Sequence, residues 1–389
     1  MTAPLRVLSI ATLFPDAARP NFGLFVEKSL RALAQQPGID LTLAAPVGLP
    51  PFPLSLHPRY RALRVLPREE KWNGLTVHRP PFTLIPRFGA RFNPGAIARA
   101  VLPIARSDDF DVIDAQFFYP DGPAAMRVAH ALGLPFSIKA RGADISHFGH
   151  DPATAPQLLT AADRAAGLLA VSDAMRRDMA AIGIDAGKTA VHYTGIDSAR
   201  FAPGDRAAAR AALGMGKEPA ILTVGALIAR KGQALVIAAL PALPGVHYWL
   251  AGAGEEEARY RALAARLGVA ARVHFMGPVA NADLPQLYRA VDAVVMPSVS
   301  EGLANAWVEA LACGTPIVIS DAGGAAELVT TPVAGRIVAR TPDAIADAVR
   351  AILAAPPSPL DVAASLADRF DWDRNGRDLA DHLRRCAGL

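Results

Sequence analysis

Side chains that could bind an anion and a set of hydroxyl groups recur in residues 300–316, SEGLANAWVEALACGTP. Glu301 precedes a predicted helix, and Asn305 and Glu309 share one helix face because residues four apart lie one turn above another. Residues 302–304 form a small loop, so a ligand can approach the free backbone N–H groups at the helix start. Because the helix dipole favours an anion there, the pattern predicts a site for a phosphate ester.

Buried elements flank this stretch and must position it. An apolar run at 293–296 precedes it and another at 317–319 follows, which predicts a strand, a loop, a helix and a second strand. Gly314 and Pro316 end the helix, and Trp307, Val308 and Leu311 take its apolar face. The region is therefore a βαβ unit with a polar edge.

Length and composition bound the class of protein. The chain has 389 residues, a length that predicts two or three domains. Of these residues 52% are hydrophobic and 20% charged, a composition that excludes a disordered chain. Strand and helix patterns alternate in two halves, separated by the turn-rich segment 194–206. We therefore expect an α/β fold with two doubly wound domains.

The net charge of +4 is modest, but basic residues concentrate in one region. Between His57 and Asp109 four acids face ten lysines and arginines, namely Arg59, Arg61, Arg64, Arg68, Lys71, Arg79, Arg87, Arg91, Arg99 and Arg106. A Pro-rich passage and several aromatic or apolar residues (Phe82, Leu84, Ile85, Phe88 and Phe92) lie in or near this region. The composition is typical either of a surface that meets anionic lipid headgroups or of a solvated basic surface.

The sequence predicts no disulfide framework, no membrane span and no metal site. Cys313 and Cys386 are the two cysteines, so we expect no disulfide framework and a reducing, cytoplasmic compartment. No run of about twenty apolar residues predicts a membrane span. His147 and His150 lack further ligands at helical spacing, so no metal site is predicted.

Glycine patterns argue against a dinucleotide-binding enzyme. The first strand is followed by a loop whose usable glycine is Gly23, at the helix start, where a G-x-G-x-x-G motif would be needed. Gly252 and Gly254 form a second, incomplete motif, because Glu257 occupies the third glycine's place. Each of these glycines also fits an ordinary strand-to-helix turn.

Two glutamates alone are common on solvated helix faces, but their surroundings are specific. Glu301 and Glu309 have seven residues between them, in EGL and EALACGTP, and a strand and DAGGAAEL follow. This arrangement resembles the signature of the retaining glycosyltransferases of family 4. The resemblance implies the GT-B fold, in which two Rossmann-like domains face each other across a cleft.

The resemblance also implies domain limits. Residues 194–206 are similar to the family's interdomain passage, which gives an acceptor-binding domain over 1–197 and a nucleotide-sugar-binding domain over 198–371. In the family, a terminal helix, here 372–389, packs back on the first domain. Residues 14–27 and the YPDG sequence at 119–122 resemble loops of the TuaC-like members, which suggests an acceptor linked to lipid or to a wall polymer.

Site residues follow by position in the family pattern. Lys231 keeps the place of the phosphate-binding lysine, whereas Ala226 stands where an arginine is usual, and Arg230 is its natural substitute. Arg141 stands where many members carry a histidine; it can clamp phosphate but cannot accept a proton, and a structural ion pair with Asp144 is the alternative. Donor contacts are further implied for Gly23, Gly252, Gly254, Gly302, Leu303, Ala304 and Asn305.

The implied reaction moves a sugar from a nucleotide diphosphate sugar to a hydroxyl of a glycan or polyprenyl-linked acceptor in surface polysaccharide synthesis. Lys231 and Arg230 stabilise the leaving diphosphate, Glu301 orients the sugar and Glu309 holds the ribose. Neither a cofactor beyond the UDP- or GDP-sugar, nor a metal, nor a nucleic acid is expected. The membrane contact would be peripheral, at the inner face. A nucleotide-sugar 2-epimerase of the same fold, or a catalytically silent binding protein, remains an alternative.

Overall fold

A computed structural model describes residues 3–86 and 89–389. Its internal contacts divide the chain into two compact units. Unit 1 contains the described residues up to Gly195 together with Trp372–Leu389, and unit 2 is Ile196–Asp371. Arg87 and Phe88, which the sequence analysis assigns to the basic region, lie outside the described residues.

Unit 1 is built on an eight-stranded sheet and a separate pair of strands, β3 and β6. Its strands are β1 (Leu5–Ile10), β2 (Ile39–Ala44), β3 (Val47–Leu49), β4 (Glu69–Trp72), β5 (Leu75–His78), β6 (Pro81–Thr83), β7 (Val112–Ala115), β8 (Phe136–Ala140), β9 (Gly167–Ala170) and β10 (Thr189–Val191). The order in the large sheet is β10-β9-β8-β7-β1-β2-β5-β4. All neighbours in it are parallel except β4 and β5.

Alternation along β1 shows why both faces of this sheet are covered. Leu8 and Ile10 belong to one buried cluster, and Leu5 and Val7 belong to another. Successive side chains of a strand point to opposite faces, so the sheet carries a core on each side. The helices are α1 (Leu24–Ala34), α2 (Pro58–Arg61), α3 (Asn93–Ala105), α4 (Asp121–Leu132), α5 (Ala143–Ser146), α6 (Ala155–Arg164) and α7 (Asp173–Ala181).

The last helix of the chain, α16 (Trp372–Ala387), belongs to unit 1 and packs against α1. Gly376 makes the close approach feasible, since a Cβ there would stand 2.4 Å from the carbonyl oxygen of Ala32. Buried polar contacts hold the helix as well: Ser29 Oγ donates to Asn375 Oδ1 at 2.9 Å, and His382 Nε2 lies 2.7 Å from Ser137 Oγ.

Unit 2 has a six-stranded, fully parallel sheet in the order β13-β12-β11-β14-β15-β16. The strands are β11 (Ala220–Val224), β12 (His247–Ala251), β13 (Val273–Gly277), β14 (Ala293–Met296), β15 (Ile317–Ser320) and β16 (Gly335–Val338). The helices are α8 (Arg206–Ala212), α9 (Gln233–Ala239), α10 (Glu257–Arg266), α11 (Leu284–Ala290), α12 (Asn305–Ala312), α13 (Ala325–Leu328), α14 (Pro342–Ala354) and α15 (Pro359–Ala364).

The predicted α/β class with two doubly wound sheets is confirmed. Helices α3 and α14 were not predicted; in α3, Pro103 lies in the helix interior and interrupts the helical pattern. One local interpretation was wrong. Arg79 is no part of a basic surface, because it is buried and pairs with Glu70.

Candidate functional site

The candidate site of unit 2 lies where the strand order reverses. Strands β11 and β14 are neighbours, with β12 and β13 on one side and β15 and β16 on the other. In open parallel sheets the loops at such a point diverge and leave room for a ligand at the carboxyl ends of the strands. The loop after β11 carries Arg230 and Lys231, and the loop after β14 carries Glu301.

These two loops meet through an ion pair. Lys231 Nζ donates to Glu301 Oε1 at 2.5 Å, and the two side chains are only 14% and 9% exposed. Arg230 NH1 lies 3.7 Å from the same oxygen and donates to the carbonyl oxygen of Ser300. The backbone N–H of Val299 donates to the Arg230 carbonyl at 2.8 Å. Three of the predicted site residues therefore share one small region.

Glycines allow the loop after β15 to pack closely against the loop that carries Glu301. Gly323, after β15, has a φ of +54°, and a Cβ there would stand 2.2 Å from the carbonyl oxygens of Glu301 and Gly302. Gly324 N–H donates to the Gly302 carbonyl at 2.7 Å. On the other side, a Cβ at Gly232 would stand 2.3 Å from the Pro297 carbonyl oxygen. Backbone packing thus fixes the loop that carries Glu301.

The N-terminus of α12 presents unused donors. Its first flanking residue, Ala304, supplies no side-chain cap. Across the described chain, the backbone N–H groups of Leu303 and Ala304 have no acceptor, and the Asn305 side chain is exposed. Such N–H groups and the positive end of the helix dipole favour an anion.

Glu309 lies one turn further along α12 and faces α11. Its Oε2 accepts a hydrogen bond from the Tyr288 hydroxyl at 2.9 Å. Burial, followed by the negative charge and hydrogen bond of Glu309, raises the pKa of Tyr288 well above its usual value. Sequence reasoning missed Tyr288; its only signal is a polar aromatic residue within the apolar pattern of α11.

Gly252 and Gly254 have a packing role. A Cβ at Gly252 would stand 2.0 Å from the Gly225 carbonyl oxygen, and one at Gly254 would stand 2.2 Å from the Leu227 carbonyl oxygen. The loop after β12 therefore lies directly on the loop after β11. Their predicted contact with a nucleotide stays a prediction.

Arg141 belongs to unit 1, at the carboxyl end of β8. Its Nε donates to the Gln116 carbonyl oxygen at 2.7 Å, and NH2 donates to Gln116 Oε1. The guanidinium lies 5.1 Å from the centre of the Phe25 ring. Burial lowers the pKa of Arg141 to about 10, against the opposing charges of nearby aspartates, so the side chain is charged at neutral pH. Its NH1 is buried without a hydrogen-bond partner in the described chain.

The alternative reading of Arg141, a side-chain ion pair with Asp144, is not what the structure contains. Asp144 instead accepts hydrogen bonds from the backbone N–H groups of Phe118, Arg141 and Gly142, at 2.7–3.0 Å. Burial raises its pKa, and these bonds oppose the rise. Asp144 therefore holds the loop backbone.

Behind Arg141 lies a buried polar network that the sequence analysis did not identify. Gln116 Nε2 donates to Asp114 Oδ2, which also accepts from Ser9 Oγ at 2.9 Å. Asp121 accepts from the hydroxyl of Thr12 at 2.6 Å and from its backbone N–H. The available signal was that Thr12 and Gln116 come within two residues of the end of a buried strand, at the edge where parallel sheets bind ligands, whereas Ser9 and Asp114 lie inside strands and Asp121 begins α4.

The remaining predicted residues have local explanations. Gly23 precedes α1 with a φ of +77°, and a Cβ there would stand 2.5 Å from the Leu13 carbonyl oxygen. His147 packs edge-on against Phe148, with ring centres 5.0 Å apart. No group of three or more His, Cys, Asp or Glu side chains suited to a metal occurs in the residues described.

Two family models match the chain, one in each half. The model described as Glycosyltransferase Family 4 matches residues 24–200, and that described as Glycosyl transferases group 1 matches residues 205–368. The chain belongs to the family 4 glycosyltransferases. The predicted family is thereby confirmed, and the two matched regions of this family 4 glycosyltransferase correspond largely to the two units.

Curated relatives are D-inositol 3-phosphate glycosyltransferases. That of Mycolicibacterium gilvum is 38% identical over 214 residues, covering 51% of this chain and 48% of the relative. That of Mycobacterium bovis is 35% identical over 246 residues, covering 60% and 50%. The family 4 glycosyltransferase described here spans about half the length of the curated relatives it matches.

Solved structures show the same GT-B fold. Sucrose-phosphate synthase from Thermosynechococcus elongatus superposes with a TM-score of 0.79 at 20% identity, over 98% of each chain. Anabaena HepE in complex with UDP gives 0.75 at 23% identity, over 98% of this chain and 100% of that one. At these identities the likeness establishes the fold of the family 4 glycosyltransferase.

Proposed function

We propose that the chain transfers a sugar from a nucleotide diphosphate sugar to a hydroxyl group of a glycan or lipid-linked acceptor. The observation that carries this proposal is the pairing of Lys231 with Glu301 beside the open N-terminus of α12. A cation and unused N–H donors suit a diphosphate, and a carboxylate suits sugar hydroxyls. The pairing keeps both kinds of group together before any donor binds.

The donor is proposed to be a UDP- or GDP-sugar. Structures of the similarly folded HepE contain UDP and UDP-glucose, which makes UDP-sugars the first donors to test. Breaking the bond between the anomeric carbon and phosphate places negative charge on the diphosphate. Lys231, Arg230 and the N–H groups of Leu303 and Ala304 would stabilise that charge; preorganised donors of this kind typically supply several kcal/mol.

Carboxylates are proposed to orient the donor. Glu301 would exchange part of its contact with Lys231 for hydrogen bonds from sugar hydroxyls, because the diphosphate competes for the lysine. Glu309 would accept from the ribose hydroxyls while the Tyr288 hydroxyl fixes its carboxylate. Tyr288 thus acts as a positioning residue.

Transfer with retention of anomeric configuration is proposed. The acceptor hydroxyl would attack on the face that the diphosphate leaves, and the leaving phosphate oxygen would take the proton. Arg141 carries a positive charge at neutral pH and is not a proton acceptor. Its role would be to hold an anionic group of a ligand bound to unit 1, where Gln116 fixes its guanidinium.

A lipid-linked oligosaccharide for surface polysaccharide, used at the cytoplasmic face of a membrane, is the acceptor we favour from the TuaC-like loops. The curated relatives are named for D-inositol 3-phosphate, so a small phosphorylated polyol belongs in any acceptor screen. Two other functions are tested alongside: a nucleotide-sugar 2-epimerase, and a binding protein that lost catalysis through the changes at Arg141 and Ala226.

A donor screen followed by product analysis tests the proposal. A bound donor stabilises the fold by mass action, so one of a panel of UDP-, GDP- and ADP-sugars should raise the melting temperature. Incubating that donor alone should give slow hydrolysis to the nucleoside diphosphate and free sugar, and an acceptor should accelerate its release. An epimerised donor would support the epimerase, and an unchanged donor would support the silent binding protein.

A further inference from the structure

One segment of unit 1 exposes apolar side chains together with unpaired arginines. Residues 51–68, called the exposed segment, run from the end of β3 to the start of β4, PFPLSLHPRYRALRVLPR. The structure describes all of them, and Leu63 is the one residue among them that is buried. Phe52 is 79% exposed, Val65 80%, Leu54 54% and Leu56 56%. Exposing these apolar side chains to water does not stabilise a monomer, and such a patch is typical of an interaction site.

Charge in the exposed segment has one sign. It holds Arg59, Arg61, Arg64 and Arg68 and contains no aspartate or glutamate. All four arginines are exposed, and none pairs with a carboxylate in the described chain. Elsewhere in the chain exposed arginines commonly have carboxylate partners, as Arg261 has Glu257. The exposed segment is therefore complementary to a surface that supplies negative charge.

Short helical turns give the exposed segment a fixed shape. Helix α2 packs against a 3-10 turn at Leu54–Leu56 and a second one at Leu63–Val65, and the second turn packs on β3. Strand β3 pairs with β6 in parallel, so the chain leaves both strands at the same end. Ile85, 38% exposed, follows β6 and adds an apolar side chain at that edge.

We propose that the exposed segment is a docking surface for an anionic lipid bilayer. Phe52, Leu54, Leu56 and Val65 would enter the boundary between headgroups and acyl chains, and the arginines would lie among the phosphates. Apolar side chains beside basic ones are the combination that interfacial anchoring needs, and each basic residue near an anionic membrane strengthens binding. Among the described residues no helix is both long and apolar enough to cross a bilayer. The inference does not depend on glycosyl transfer.

Vesicle sedimentation of the full chain tests the charge contribution. Binding should be strong to vesicles of mixed phosphatidylcholine and phosphatidylglycerol, weak to phosphatidylcholine alone, and reduced by added salt. Arg59→Ala/Arg61→Ala/Arg64→Ala should weaken partitioning about 100-fold, because each arginine lost costs about a fivefold step and the three steps multiply. The matched control removes three exposed basic residues of unit 2, Lys217→Ala/Arg266→Ala/Arg350→Ala, and should bind as the parent does.

An environment-sensitive label tests insertion. In a Cys386→Ala background, a fluorophore at V65C should shift its emission to the blue with anionic vesicles, whereas one at L360C, an equally exposed apolar site of unit 2, should not. Equal binding by the arginine variant and its control, or no shift at V65C, would overturn the proposal. So would a dimer, seen by light scattering, that Phe52→Ser/Val65→Ser converts to monomer while vesicle binding is absent.

Discussion

Lys231 and Glu301 stand 70 positions apart in the chain, yet Lys231 Nζ lies 2.5 Å from Glu301 Oε1. The contact joins the loops of two neighbouring strands at the reversal of the sheet order. It keeps a cation and an acceptor of hydroxyl groups, both largely sheltered from water, beside the open end of α12. The proposed donor site is therefore assembled within unit 2.

Stability should reveal how strongly this ion pair is coupled. Lys231→Met and Glu301→Gln should each lower the free energy of unfolding by about 2 kcal/mol, because each leaves a sheltered charge without its partner. The double variant should lose less than the sum, with a coupling of about 1 kcal/mol from urea denaturation. Arg230, 3.7 Å from the same carboxylate, limits the loss in Lys231→Met. Strict additivity would show that the two side chains do not interact.

Glu309 is expected to contribute donor affinity through its fixed carboxylate. Glu309→Ala should weaken nucleotide-sugar binding about tenfold or more in calorimetry, since charged hydrogen bonds to ribose hydroxyls contribute about 1.5–3 kcal/mol. Tyr288→Phe should weaken binding less, because it removes only the hydroxyl that positions Glu309. Circular dichroism checks that both variants fold. Unchanged affinity in Glu309→Ala would falsify the ribose role.

Arg141 is held by two bonds to Gln116, which a lysine cannot reproduce. Arg141→Lys should keep the positive charge but lower kcat/KM by about tenfold or more, since the planar fork is lost. Gln116→Ala, which leaves only the backbone acceptor, should show a smaller loss. Arg177→Lys, at an exposed site of α7, is the control. If Arg141→Lys retained full activity, the fork geometry would have no role.

Asp121 should give the stability of unit 1 a specific pH dependence. Burial raises the pKa of Asp121 to about 7, against the hydrogen bonds from Thr12, with the charge of Asp144 adding to the rise. A folded-state pKa above the unfolded value means that the folded state binds the extra proton. The stabilisation is complete below about pH 4 and is lost as the pH rises through 7.

Comparing the parent with Asp121→Asn isolates this effect. The amide keeps a donor and an acceptor for Thr12 but does not titrate. From pH 4 to pH 8 the parent should lose up to about 4 kcal/mol relative to the variant, measured by urea denaturation. Parallel pH profiles for the two proteins would mean that Asp121 titrates normally.

Much of the fold could be predicted from the sequence because the central strands are short buried apolar runs bounded by turn residues. The runs at 293–296 and 317–319 were predicted as strands on that basis, and they form β14 and most of β15. Helix α3 was not, since a proline in its interior contradicts the local signal while tertiary packing stabilises the helix. Local pattern and tertiary packing disagree there, and packing decides.

The sequence predicted several residues of the candidate site, but it did not predict the contacts between them. Lys231 and Glu301 were both assigned to the donor site, but their ion pair depends on loops that only the sheet order brings together. The bonds from Arg141 to Gln116 and from Tyr288 to Glu309 join separate elements, so no spacing in the sequence indicates them. Arg79 counted as a surface charge because burial of a single arginine has no periodic signal.

Calorimetric titration with UDP and with UMP tests the central claim most directly, because the two ligands differ by the phosphate that Lys231 is proposed to bind. We predict that Lys231→Ala weakens UDP binding about tenfold or more and changes UMP binding little, so that the two affinities converge. Equal loss for both ligands, or unaltered UDP affinity in the variant, would contradict the account.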